Sequence, residues 1–309
     1  MRFLVLGAGA LGGFFGARLL KGGANVTFLV RPKRAAQLER DGLIVKFQDG
    51  DVFGAKVKTV QQGGIDGPYD VVLLTCKAYD LHDAISAIAP AMGPQSAVLP
   101  LLNGIRHIDV LKEKFGTQRV LGGLTAINAV LLPDGTIQQS QFRVPLNAIG
   151  ELDGKKSARC EAIRSALAAG GIAIDVSDNI ATGLWTKFFG FACFATIATL
   201  TRSRAGVIAR SGAGATFVAQ VRDECIRVVT AEGFPPPPEL VAMIPAAFTQ
   251  DATYGPSMLI DMEDGRPTEG DHIIGDLAQR AARSGTPAPL LNAAWCNLQA
   301  YEINRASKR

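Results

Sequence analysis

The chain has 309 residues, 48% of them hydrophobic, with 32 Lys and Arg against 28 Asp and Glu for a net charge of +4. That length predicts two domains, each with apolar material enough for a core, and the scattered charges exclude a nucleic-acid or membrane-surface footprint. Cys76, Cys160, Cys193, Cys225 and Cys296 are odd in number, far apart and without a C-x-x-C, as expected of reduced, mostly buried thiols in a cytoplasmic protein.

Met1 to Gly16 reads MRFLVLGAGALGGFFG. Arg2 to Leu6 is long enough for one buried strand, and it is too short, with no cleavage-site pattern, for a signal peptide. It enters Gly7, Gly9 and Gly12, spaced G-x-G-x-x-G, and then a helix-compatible stretch from Ala10 to Lys21. Gly7 allows the tight bend, Gly9 lets the backbone approach a pyrophosphate, and Gly12 lets helix and strand pack closely. The free amides where the helix begins, at Ala10 and Leu11, meet the phosphate charge. The strand-turn-helix context favours dinucleotide binding over an incidental turn in a chain with 34 glycines.

Asn25 to Val30 is the next strand, and its end is where NAD sites place a carboxylate for the ribose 2′-OH. Here Val30 and Arg31 are followed by Lys33 and Arg34. The cluster suits a 2′-phosphate, hence NADPH; the alternative is a solvated helix start. Cations in a first turn oppose the helix dipole, which favours the anion site.

Ala35 to Arg40 continues a short helix. Leu43 to Phe47 and Val52 to Val60 form a hairpin around Gln48-Asp49-Gly50. Asp70 to Cys76 (DVVLLTC) is a strand covered on both faces. Then follow a helix over Leu81 to Met92, a strand over Ser96 to Leu102, a helix over Ile108 to Phe115, and an extended stretch from Val120 to Leu132 turned by Pro133-Asp134-Gly135. Strands over Thr136 to Phe142 and Asn147 to Glu151, a helix over Ser157 to Ala169 and a strand over Ile172 to Val176 close the first part. The pattern predicts an α/β, doubly wound, Rossmann-type dinucleotide-binding domain over 1–177, with an antiparallel addition late. An all-α domain is expected over 178–309, with Asp178 as candidate N-cap and a rigid corner at Pro235 to Pro238. Phe188 to Thr201, the longest uncharged apolar run, is too short to span a bilayer and reads as a buried helix. No internal repeat is visible. The cleft between the domains is the natural place for a substrate.

Lys77 follows DVVLLTC and Asn103 follows AVLPLL, both at strand ends where open α/β sheets bind ligands. Each has a plain alternative, an exposed strand-end cation and a turn. Lys187 is the only charge between Asp178 and Arg202. It either snorkels at a domain edge or is held dry, where burial would lower its pKa toward that of a general acid. Ser257 and Glu269 are separated by MLIDMEDGRPT, read as a loop. Spacing does not choose Glu269 among Asp261, Glu263, Asp264 and Asp271. His82, His107 and His272 show no ligand spacing and are assigned to helix surface, so no metal is expected.

In order and spacing, GAGALGG at Gly7, LVR ending at Arg31, TCKAY around Lys77, LLNG around Asn103, IGELDG from Ile149, LWTKF around Lys187, SMLID from Ser257 and RPTEGDHIIG from Arg266 resemble the ketopantoate reductase (2-dehydropantoate 2-reductase) family over nearly the whole length. The resemblance implies NADPH-dependent reduction of a 2-oxo acid to a 2-hydroxy acid, with 2-dehydropantoate giving pantoate in pantothenate biosynthesis. It implies Lys187 as general acid, Glu269 holding substrate and orienting that lysine, and Asn103 placing cofactor and substrate. Ser257 would bind the substrate carboxylate, Lys77 would serve the cofactor, and Arg31 would meet the 2′-phosphate. The chain departs from the family where pocket asparagines usually stand, at Phe191, Ala195 and Tyr254. These changes suit a 2-oxo acid with a bulkier or more apolar tail. One rival class is a different NADP enzyme on the same two-domain plan, such as a hydroxyacid or polyol-phosphate dehydrogenase, against which Lys187 with Glu269 and no paired histidine argues. The other is a non-catalytic NADPH sensor, and a homodimer through the helical domain is the expected assembly.

Overall fold

The first strand, β1 (Arg2–Leu6), is buried through its centre and lies in the middle of a parallel sheet. The computed structural model describes residues 1–140 and 147–307. After β1 come α1 (Ala10–Lys21), β2 (Asn25–Leu29), α2 (Pro32–Asp41), β3 (Leu43–Lys46), β4 (Val52–Ala55), β5 (Lys58–Val60), β6 (Val71–Leu74), α3 (Leu81–Ile88) and β7 (Ala97–Pro100). The five-stranded sheet runs β5-β2-β1-β6-β7 with every pair parallel, and β6 and β7 are buried at all positions. Their unbroken apolar sequences are what a sheet covered on both faces requires.

The chain continues through α4 (Arg106–Phe115), β8 (Leu121–Thr125), β9 (Ala129–Leu131), β10 (Ile137–Gln139), β11 (Asn147–Glu151), α5 (Ala158–Ala169) and β12 (Asp175–Val176). β8 and β11 pair antiparallel with β12 alongside, and β4-β3-β10-β9 forms a further sheet. On α1, Phe14, Phe15 and Leu19 are buried. Arg18 is buried there too: its guanidinium lies 3.5 Å from the centre of the Phe47 ring and donates to the Gly170 carbonyl and to Asp49. One side chain thereby ties α1 to the β3–β4 turn and to the end of α5.

Several boundaries differ from the sequence expectation. Val52 to Val60 is not one strand: Val52–Ala55 pairs with β3, and Lys58–Val60 leaves to join β2 in the parallel sheet. The helix after Leu81 ends at Ile88 and passes into a 3-10 turn at Ala89–Ala91, because Pro90 brings no amide to continue the ladder. The last strand shortens to Asp175–Val176. The end of the stretch expected over Thr136 to Phe142 lies outside the described residues beyond 140.

The helical part comprises α6 (Ile180–Thr201), α7 (Ala205–Arg210), α8 (Gly214–Ala231), α9 (Pro238–Ala246), α10 (Ser257–Glu263), a π-helical turn at Asp271–Gly275, α11 (Asp276–Ser284) and α12 (Pro289–Ala306). The chain divides into two compact units, Met1–Leu102 with His107–Ala181, and Asn103–Arg106 with Thr182–Arg309. The expected division after Ser177 differs in two ways: the first residues of α6 stay with the sheet unit, and the short segment Asn103–Arg106 belongs to the helical one. The segment after Ser257, expected as loop, is α10, with Met258, Leu259 and Met262 buried along one face. The apolar run Phe188 to Thr201 is part of a 22-residue helix that by length and composition alone could cross a bilayer, yet 56% of that window is buried within the protein. A core helix meets the same test.

Helix α12 starts at Pro289 after Ala288, which has no side-chain oxygen to cap its first amides. The carboxylate of Glu224 on α8, itself buried, accepts from Leu290 N at 3.0 Å and Leu291 N at 3.1 Å. This distant cap satisfies donors that a helix start otherwise leaves orphaned. Glu224→Ala should lower the unfolding free energy by about 1–3 kcal/mol, read as a lower urea midpoint at unchanged m-value. A midpoint equal to wild type would show that water replaces the carboxylate at no cost.

Candidate active site

In the sheet unit, β1 ends at Leu6 and Gly7 turns the chain with φ +86°, a conformation that favours glycine. A Cβ built at Gly7 or Gly9 meets nothing within 4 Å, whereas one at Gly12 would lie 2.3 Å from the Gly7 carbonyl oxygen and 2.5 Å from Thr75 Oγ1. The first two glycines therefore open onto space, and the third lets α1 press against the ends of β1 and β6. Gly9 is the N-cap of α1 and brings no side chain, and no acid stands in the first turn.

A cleft of about 880 Å³ lies at the carboxyl ends of β1, β2 and β6, lined by Gly7, Gly9, Val30, Arg31, Thr75 and Cys76 among others. Its place and its open glycines fit a nicotinamide dinucleotide, and no carboxylate stands at the end of β2. Arg31 is exposed and pairs with Asp80 at 3.3 Å. Arg34 lines the same cleft, but its guanidinium is engaged within the protein. It turns inward, its Nε donating to the Ala8 carbonyl at 3.0 Å and its Nη1 to the Gly135 carbonyl at 3.2 Å. It braces the glycine loop against the turn at Pro133-Asp134-Gly135. Lys77 is exposed where the 3-10 turn Ala78–Asp80 begins, next to the cleft-lining Cys76.

The other expected residues, Asn103, Lys187, Phe191, Ala195, Tyr254, Ser257 and Glu269, all belong to the helical unit. Lys187, part-way along α6, donates from Nζ to Asn103 Oδ1 at 3.1 Å. Burial pushes its pKa down to about 8, and the nearby charge of Glu269 opposes the shift. Glu269 is itself buried. The residue before it is fixed from α12, where Glu302 Oε1 accepts from Thr268 N at 2.7 Å and Thr268 Oγ1 at 2.9 Å. Two side chains far apart in sequence, Asn103 and Glu269, thus act on one ammonium group.

Phe191 and Phe194 lie one and two helical turns beyond Lys187 on the same side of α6. The Phe194 ring stacks on Phe248 at 5.7 Å and meets Tyr254 edge-on at 5.4 Å. Tyr254 is half exposed, and Ser257 is exposed at the first position of α10. Ala195 has no accessible surface, so of the two expected α6 positions only Phe191 can meet a ligand.

The surface assignment of the histidines holds for His82 alone. His107 is fully buried, and so, within a few per cent, is His272. A Cβ at Gly104 would come within 2.8 Å of the His272 ring, so this imidazole packs on the peptide after Asn103. Its pKa is pushed down to about 4 by burial and by the Arg106 charge, against a hydrogen bond to the Asn103 backbone. Glycine directly after Asn103 and histidine three residues after Glu269 are visible in the sequence. Their contact is not.

Residues 3–153 match the family model described as ketopantoate reductase PanE/ApbA, and residues 179–302 match its C-terminal counterpart. The oxidoreductase YkpB of Bacillus subtilis is 35% identical, over 99% of this chain and all of its own. A PanE/ApbA family ketopantoate reductase from Ralstonia eutropha superposes with a TM-score of 0.89 at 23% identity, over 99% of this chain and 100% of that one. A D-mandelate dehydrogenase in complex with NADH and anilino(oxo)acetate superposes with a TM-score of 0.86 at 24% identity, over the same shares. At those identities the two structures speak for the fold alone. The family models and the Bacillus relative place the chain in the ketopantoate reductase family, among the oxidoreductases that act on CH–OH groups and their 2-oxo acid partners.

Proposed function

We propose that the protein catalyses the NADPH-dependent reduction of a 2-oxo acid to the 2-hydroxy acid, with Lys187 as general acid. The observation that carries this reading is the 3.1 Å bond from Lys187 to Asn103, made by an ammonium whose pKa burial brings to about 8 beside the charge of Glu269. When bound, a reduced nicotinamide supplies hydride to the 2-oxo carbon. Negative charge then gathers on the carbonyl oxygen, Lys187 Nζ gives that oxygen its proton, and the neutral amine left behind takes a proton back from water. A cation aimed at that oxygen interacts more strongly in the transition state than before it. Near neutral pH such a lysine is mostly protonated yet a stronger acid than an exposed one. Asn103 holds the ammonium, Glu269 favours its charged form, and Ser257 is assigned to the substrate carboxylate.

The loop at Gly7, Gly9 and Gly12, with the Ala10 and Leu11 amides, is assigned to the cofactor diphosphate, and Lys77 to the same cofactor. Arg31 is assigned to the 2′-phosphate. The D-mandelate dehydrogenase holds NADH; here a cation at the end of β2 supports NADPH instead. Family membership points to 2-dehydropantoate as substrate, giving pantoate. A second reading has its own support: Phe191 and the Phe194–Phe248–Tyr254 group offer apolar surface, which suits a 2-oxo acid with an apolar or aromatic tail.

Lys187→Ala should lower kcat by about 10²–10⁴-fold with NADPH affinity unchanged. In the wild type, reduction needs the protonated amine, so kcat should fall as pH rises through about 8, and oxidation of the hydroxy acid should rise over the same range. Retained turnover in the alanine variant removes the general-acid role, and tight NADPH binding without turnover on any acid favours the sensor. Arg31→Ala should raise the KM for NADPH by about tenfold or more and leave that for NADH unchanged, since one charge-assisted contact is worth about 1.5–3 kcal/mol; equal losses for both cofactors count against the 2′-phosphate assignment. For the tail, ketopantoate is to be compared with aromatic and branched 2-oxo acids in the wild type and in Phe191→Asn. A shift of kcat/KM toward ketopantoate in the variant supports the apolar pocket, and an unchanged ratio leaves 2-dehydropantoate as the substrate.

A further inference from the structure

Asn103 has a short side chain, so the place of its amide oxygen is set by its backbone. That backbone is followed by Gly104, buried and at φ +83°. A Cβ there would lie 2.8 Å from Cδ2, 3.1 Å from Nε2 and 3.3 Å from the carbonyl oxygen of His272. The imidazole therefore occupies the space directly against the Asn103–Gly104 peptide, and it is hydrogen-bonded to the Asn103 backbone. Held neutral by burial, the ring has one N–H to give and no charge to add near Lys187.

His272 itself stands on a fixed support. It lies in the π-helical turn Asp271–Gly275, and such turns interrupt regular helices where side chains must be re-aimed. Helix α12 grips that turn: Trp295 Nε1 donates to Asp271 Oδ1 at 2.6 Å, and a Cβ at Gly275 would lie 2.7 Å from the same nitrogen. On the other side of the turn, Thr268 is bound to Glu302. Between these two anchors the segment carries both Glu269 and His272.

We propose that His272 is a positioning residue: it sets the Asn103 backbone so that the Asn103 amide oxygen meets Lys187 Nζ, while Glu269 on the same braced segment faces the same ammonium. The inference rests on Lys187 as the general acid. His272 does not itself touch the reacting atoms; it acts through Asn103.

Three variants test it. His272→Leu keeps apolar volume without the donor, whereas His272→Asn and His272→Gln each restore an N–H, near the place of one or the other ring nitrogen. Kinetics are to be run on a 2-oxo acid that the wild type reduces, with thermal midpoints alongside. The leucine variant should lose about tenfold to a hundredfold in kcat with the KM for NADPH unchanged, as expected for misplacement of a catalytic group by about 1 Å. One of the two amide variants should recover most of that loss. Wild-type kcat in a folded His272→Leu protein overturns the proposal, as does a loss that neither amide repairs and that follows a fall in thermal midpoint. Lys187→Ala in the same series separates the two ideas: turnover kept there removes the general acid, and turnover lost there but kept in His272→Leu removes only the positioning role. Should no acid be reduced, the titration of Lys187, followed by NMR on ¹³C-methylated lysines, decides. His272→Leu should move it away from the wild-type value and an amide variant should return it; an unmoved titration overturns the proposal.

Discussion

A part-buried lysine ammonium with few polar partners is the constraint on which the helical unit depends. Burial alone favours the neutral amine and would carry the pKa down further. The charge of Glu269 opposes that drift at Lys187, and the amide oxygen of Asn103 accepts a hydrogen bond from the ammonium. Neither lies near Lys187 in sequence, so the fold must deliver them. Asn103 comes on the segment Asn103–Arg106, which leaves the sheet unit's sequence to pack with the helices. Glu269 comes on a segment pinned by Glu302 before it and by Trp295 soon after. Around them α6 stays apolar, with Phe188 and Phe189 buried beside the one charge it carries.

The sheet unit answers a different constraint, the approach of backbone to backbone at Gly12, where any side chain would strike the Gly7 carbonyl. That contact fixes the loop from behind and leaves its front open. Arg34 completes the bracing from α2, so the basic cluster divides its work. One cation holds the loop, and another, Arg31, stands at the rim of the cleft with Asp80. In a sequence the two are indistinguishable, because both lie at a helix start and differ only in which way the side chain turns.

What was legible in the sequence had a local cause. The strand-glycine-helix run, the buried parallel strands and the helical character of the second half follow from periodicity and composition, and the structure places them within a few residues. What was not legible depended on partners chosen elsewhere. Val52 to Val60 looks like one strand because nothing local records that its halves pair with β3 and β2. The residues after Ser257 looked like loop because acids crowd them, although three apolar residues on one face bury α10. His272 looks like surface because its sequence neighbours are polar, while in the fold it packs against the Gly104 backbone. Lys187 and Asn103 were legible as candidates, but only the fold puts one on the other.

The arrangement also separates chemistry from selectivity. Every 2-oxo acid presents the same reacting end, a carbonyl beside a carboxylate, and in the proposed reaction Lys187, Asn103 and Glu269 deal with that end alone. The variable part of the substrate would fall to residues further along α6 and in the approach to α10, where Phe191 and Tyr254 stand. An amide in such a place discriminates by the bonds it loses with a wrong ligand, and these losses reach orders of magnitude. An aromatic surface discriminates by area, at about 25 cal/mol per Å² of apolar contact, and so it ranks tails by size and polarity without rejecting any sharply. Replacing the one by the other leaves the ammonium, its acceptor and its counter-charge untouched. On the proposed reaction, a family could therefore keep one proton donor and pass it among substrates, because the groups assigned to Lys187 are not those assigned to the tail.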